Sequence, residues 1–138
     1  MKKKIILILL CLIFTNCSDK NVKIYVDTIC KNPELLYKYY KDTNIVSKSF
    51  RILYVNPPNS YLLDTIVKSI TLLFSKGYKV ESAKRIVSSD VNNKKTQWYE
   101  VRIVNSDNQF MDIIFVKKSK KWLINAIRFS ERQFDAFE

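Results

Sequence analysis

From Trp98 to Phe115 the chain reads Trp98-Tyr99-Glu100-Val101-Arg102-Ile103-Val104, then Asn105-Ser106-Asp107-Asn108-Gln109, then Phe110-Met111-Asp112-Ile113-Ile114-Phe115. Tyr99, Val101 and Ile103 alternate with Trp98, Glu100 and Arg102, the period of a strand with one apolar face. A polar segment then separates two β-rich runs, which marks a hairpin. Pairing Val104 with Phe110 across the five-residue loop Asn105–Gln109 sets Ile103 against Met111, Val101 against Ile113 and Tyr99 against Phe115, with Arg102 facing Asp112 on the other side. An even-numbered loop would push Asp112 opposite Val101 into the core, where an unpaired carboxylate is costly. The odd loop is therefore expected.

Working outward, a Ser119-Lys120 turn sets Phe115 against Ile124 and Ile113 against Ala126, so Trp122, Ile124 and Ala126 join the apolar face. Strands are expected over Lys79–Ser88, Gln97–Val104, Phe110–Lys117 and Lys121–Phe129, with turns at Asp90–Lys95, Asn105–Gln109 and Lys118–Lys120. That is a four-stranded antiparallel meander. Upstream, Leu62, Leu63, Ile66, Ile70, Leu73 and Phe74 recur at helical spacing between Ser60 and Lys76, and Gly77, the only glycine, stands where a C-terminal cap is wanted. Asp64 and Lys68 form an acid-first pair four apart on this helix. Asn56-Pro57-Pro58-Asn59 breaks the chain before it. Asn32-Pro33-Glu34 opens another helix to about Lys41, with Leu35, Leu36, Tyr39 and Tyr40 on one side and Lys38 and Lys41 facing out. Ser49–Val55 suits either a strand or a helix.

The front of the chain carries a different signal. Met1-Lys2-Lys3-Lys4 precedes an apolar run from Ile5 to Phe14, about half the length that a membrane-spanning helix requires. Phe14-Thr15-Asn16-Cys17 resembles a lipobox, the pattern at which lipoprotein signal peptidase cuts before a cysteine bearing a diacylglyceryl thioether; Phe14 stands where Leu is usual. The resemblance implies a signal peptide at 1–16, lipidation of Cys17, a tether over 17–23 and a single domain over 24–138. In a diderm host Ser18, in place of an Asp after the cysteine, directs the chain to the outer membrane, and in a monoderm host to the outer face of the cytoplasmic membrane. Removing 1–16 leaves 122 residues and takes Lys2, Lys3 and Lys4 away, so the net charge falls from +11 to +8. On an exported basic domain this points to anionic lipid, acidic glycan or an acidic protein partner and not to nucleic acid. Cys30 then has no intramolecular disulfide partner, and as a buried thiol it is structural.

The helices followed by a meander, and the ending Lys117-Lys118-Ser119-Lys120-Lys121-Trp122-Leu123-Ile124, resemble the nuclear transport factor 2-like (cystatin-like cone) superfamily over about residues 24–130. The resemblance implies an α+β fold with N-terminal helices packed on a curved, cone-like four-stranded meander. Its members range from enzymes to ligand binders and toxin-immunity proteins. The superfamily's usual Asp–His pair has no counterpart, because the chain contains no histidine. One glycine rules out a Gly-rich phosphate loop, and a lone thiol without histidine makes no zinc site. No metal or cofactor is expected. Trp98 alternates with Glu100 and Arg102 and is therefore expected on the outer sheet face with Asp112, a candidate contact surface for a protein or small-ligand partner. The expected function is a non-enzymatic binding or accessory module, held at the envelope through lipid on Cys17. The alternative is an immunity or inhibitor protein against an exported toxin, and a small hydrolase or isomerase ranks below both.

Overall fold

The computed structural model describes residues 20–54 and 61–130. The stretch 1–16 read as a signal peptide, Cys17, the Pro57-Pro58 break and the segment from Glu131 with Phe134 and Phe137 lie outside the described residues. Four helices precede an open sheet in the order β1-β2-β3-β4, an α+β arrangement. Helix α1 is described over 20–31, α2 is Leu36–Tyr39 behind a 3₁₀ turn at Pro33–Leu35, α3 is Lys48–Tyr54 and α4 is Tyr61–Phe74. Strands β1 Lys79–Ser89, β2 Lys95–Val104, β3 Phe110–Lys118 and β4 Lys121–Phe129 follow.

The sequence reading has no helix before Pro33, yet the chain is already helical at 20, within the stretch taken as tether. Its cause lies in Val22, Val26, Ile29 and Cys30, which fall on one face at helical spacing and are all buried. Asn32 makes no side-chain capping bond; its carbonyl instead accepts the Leu35 amide at 3.1 Å and opens the 3₁₀ turn. The ambiguous Ser49–Val55 stretch is helical through Tyr54, because Ser47 caps α3: its Oγ accepts the Phe50 amide at 3.1 Å. At the end of α4, Gly77 has φ +132°, which side-chain-bearing residues rarely adopt. Asp64, expected to pair with Lys68, accepts the Tyr37 hydroxyl and ties α4 to α2.

The β2–β3 register matches the expected one pair for pair, from Val104 opposite Phe110 to Tyr99 opposite Phe115. The β3–β4 hairpin turns on Ser119 and Lys120, both at positive φ as a two-residue hairpin turn requires. Phe115 lies opposite Ile124 as expected, but Ile113 meets Ile127 and not Ala126. A β-bulge at Asn125 is the reason: it inserts one residue, turns Ala126 to the outer face and gives Ile127 the inward position. The bulge lies where the chain ahead of α3 straps the edge of β4. Val46 forms a parallel bridge to Ile124, the Ile124 amide donates to the Ile45 carbonyl at 2.8 Å, and Ser47 Oγ donates to Asn125 Oδ1 at 2.9 Å.

The core lies between the helices and the inner face of β2–β4, where Phe50, Ile103, Met111, Ile113, Phe115 and Ile124 are fully enclosed. Phe115→Ala should lower the unfolding free energy by about 3–5 kcal/mol, as loss of a fully buried ring does, measured by urea denaturation.

Candidate functional site

The outer sheet face brings together the residues singled out in the sequence. Arg102 grips Asp112 through two bonds, Nε to Oδ1 at 2.8 Å and Nη2 to Oδ2 at 2.9 Å, and its guanidinium lies 4.0 Å from the Phe110 ring centroid. The hydrogen bonds to Asp112 hold the Arg102 guanidinium above its ordinary range. Glu100 lies opposite Lys84 on one side and Ile114 on the other. Arg102 is thus bonded to Asp112 and also feels the charges of Glu81 and Glu100.

Trp98 is half-buried on the same face, and its Nε1 donates to Ser88 Oγ at 2.9 Å. Its mismatch with charged neighbours along the strand disappears across the sheet. Ile86, Trp98, Val116 and Leu123 sit opposite one another in successive strands and form one apolar row.

A second feature was not read from the sequence. Between α1 and the inner face of β1–β2 runs a groove of about 580 Å³, lined by Lys20, Val22, Lys23, Val26, Val80, Ala83, Tyr99 and Val101. Its size falls in the range of roughly 300–1,000 Å³ typical of small-molecule sites. The groove exists because β1 is barely covered: Val80 is 46% exposed and Val87 57%, whereas Ile103, opposite Val80 on the inner face of β2, is fully buried. The missed signal was Val22 and Val26 one helical turn apart with Lys20 and Lys23 beside them.

The Tyr78 hydroxyl donates to Asp27 at 3.1 Å, which ties the later part of α1 to the start of β1. Lys20 and Lys23 of α1 line the groove together with Ala83 and Tyr99 of the sheet. Beyond Tyr99 the same inner face continues into a cationic aromatic cluster. Tyr99 and Trp122 meet edge to face at 5.5 Å, and the charges of Arg85 and Lys117 lie 5.9 and 5.6 Å from the Trp122 centroid. The Trp122 ring N–H is buried with no acceptor among the described residues.

Comparison with protein-family models, with characterised proteins and with solved structures yields no match to this chain. Among the described residues no helix is long and apolar enough to cross a membrane, and no three His, Cys, Asp or Glu side chains gather as a metal site would require.

Two groups titrate late. Burial, then the bond to Asp27, push the Tyr78 phenol from 10.0 up to about 12, and burial, then the Asp27 charge, push the Cys30 thiol from 9.0 up to about 12. Both hold their protons more tightly folded than unfolded. Their contribution to stability is complete below pH 9.0 and is lost as pH rises toward about 12. Urea midpoints should carry no loss from these two groups below pH 9.0 and should fall between there and about pH 12. In Tyr78→Phe the part of the fall that begins near pH 10.0 should shrink.

Proposed function

We propose that the chain is an exported lipoprotein, anchored through Cys17, that serves the cell envelope as a non-enzymatic binding module. The observation that carries this reading is the α1/β1–β2 groove, a concave site of small-molecule size built from aliphatic side chains, one tyrosine and two lysines. Such a lining suits holding a ligand, with aliphatic contact area from both the helix and the sheet. The lipobox-like Phe14-Thr15-Asn16-Cys17 stands just three residues before Lys20, so an anchor on Cys17 would set the groove close to the membrane. Within this proposal the open meander under N-terminal helices corresponds to the cone of the nuclear transport factor 2-like superfamily. The outer row around Trp98, with Glu100, Arg102 and Asp112, is then a second surface, open to a protein partner.

Cys17→Ala tests the anchor. The variant should move from the membrane to the soluble exported fraction or fail to mature; normal signal removal with unchanged membrane association would contradict the lipoprotein reading. Organic extraction of the released protein should yield a co-purifying small apolar or amphiphilic molecule, and Ala83→Trp, which fills the groove from an exposed strand, should leave that extract empty.

A further inference from the structure

We infer that the edge of β1 away from β2 pairs with β1 of a second copy of this chain, antiparallel about a twofold axis at Val87, so that two sheets join into one. Ten of the eleven residues of β1 are exposed, and among the described residues its only ladder is the one to β2. The opposite edge, on β4, is strapped by Val46. An edge strand of this length presents a row of outward-facing N–H and C=O groups, a template for another strand. Val87 on the inner face, Ile86 on the outer face and Val91 at the hairpin tip leave 57%, 42% and 100% of their surface in water. The pairing stands whether or not the groove holds a ligand.

Strand parity fixes which backbone groups point outward. The Asp90 amide donates to the Lys94 carbonyl at 3.1 Å, so the even-numbered residues of β1 from Ser82 to Ser88 turn theirs to β2. The Asn105 amide, bonded to the Gln109 carbonyl at 3.1 Å, gives the same parity from the far side of β2. Ala83, Arg85, Val87 and Ser89 therefore direct theirs to the edge, and a second β1 must pair in a register that joins these positions. An axis at Lys84 or Arg85 sets a cation opposite its own copy, which is unfavourable. An axis at Ala83 draws in the bulge at Glu81, where the regular edge breaks. An axis at Ile86 faces Val87 with Arg85, and one at Ser88 faces Ile86 with Asp90, an apolar side chain against a charge in each case. An axis at Val87 sets Val87 on Val87, Ala83 on Val91 and Lys84 on Asp90 of the second copy, matching apolar with apolar and cation with carboxylate. Asp90 is held at the tip by accepting the Asn92 and Lys94 amides through Oδ1. The exposure of Val87 on the inner face leaves room at the axis, where two helical layers share one side of the joined sheet. A contact confined to one strand edge lies at the small, transient end of interface sizes, below about 1,200 Å², so the pairing is reversible and grows with the density of copies.

The test uses the full chain in the cell fraction that holds it, as Ile86→Cys, Val87→Cys or Ser88→Cys, oxidised with copper phenanthroline at low and at high density of copies. Val87 meets itself in a bonded pair with Cα atoms about 5.5 Å apart, within the roughly 4.4–6.8 Å that a disulfide spans. Ile86 and Ser88 meet each other and not themselves. Val87→Cys should give a dimer, reversed by dithiol, several-fold above the other two variants and above the unsubstituted chain, and crowding should raise it. In the unsubstituted chain the Val87 and Ser89 amides should exchange fast when copies are dilute and several-fold more slowly when they are crowded, while the Ile86 and Ser88 amides, already bonded to β2, stay unchanged. Equal linking at all three positions, as random collision gives, or strongest linking at 86 or 88, would overturn the Val87 pairing. Protection of Val87 and Ser89 even in dilute chains, with no linking at any position, would assign the edge to a different strand and equally overturn it.

Discussion

The architecture depends on a mismatch in width: the helical layer seals the inner face of β2, β3 and β4, while β1 extends past it. Residues that face inward from the three sealed strands, such as Ile103, Met111, Phe115 and Ile124, are removed from water completely. Val80 and Val87, facing the same way from β1, stay about half exposed. A strand held mainly by its ladder to β2 leaves a trough between itself and the nearest helix. Hydrophobic burial makes the rest of the domain rigid, and its incompleteness at β1 makes the groove.

The far edge of the sheet is handled differently. The strap at Ile45–Ser47 occupies the backbone of Ile124, and the Asn125 bulge hands the inward position from Ala126 to Ile127. Ser47 acts twice there, as donor to Asn125 and as cap of α3, so one residue joins the helix start to the strand edge. The β1 edge has a bulge of its own at Glu81, with Lys79, Lys84 and Arg85 nearby, and charge on an exposed edge discourages indiscriminate strand pairing. One edge is closed by the chain itself, and the other, beside the groove, carries no strap among the described residues.

Much of the sheet was legible in the sequence because period-two alternation and loop parity leave little freedom. Placing Asp112 outside fixed the β2–β3 register, and Ser119-Lys120 fixed the next turn. What was not legible has physical causes. The Asn125 bulge responds to the Ser47 strap, a contact with a residue 78 positions away that no local pattern announces. Helix α1 was obscured because Lys20, Asn21 and Lys23 around Val22 have the composition of a polar linker. The groove followed α1 into obscurity: Val80 and Ala83 read as ordinary strand residues until the helix facing them is in place. Trp98 was assigned to the outer face correctly, but the apolar row that accompanies it requires β1, β3 and β4 to be laid beside it.

The central claim is that incomplete cover over β1 forms a ligand-binding groove. Hydrogen–deuterium exchange on the full chain in membranes, with and without added palmitate, tests it most directly. The account predicts slow exchange through β2–β4, fast exchange along β1 without ligand, and slowing confined to α1 and the Val80–Arg85 stretch of β1 when palmitate is present. Exchange along β1 that is already as slow as in β3, or that palmitate leaves unchanged, would contradict it.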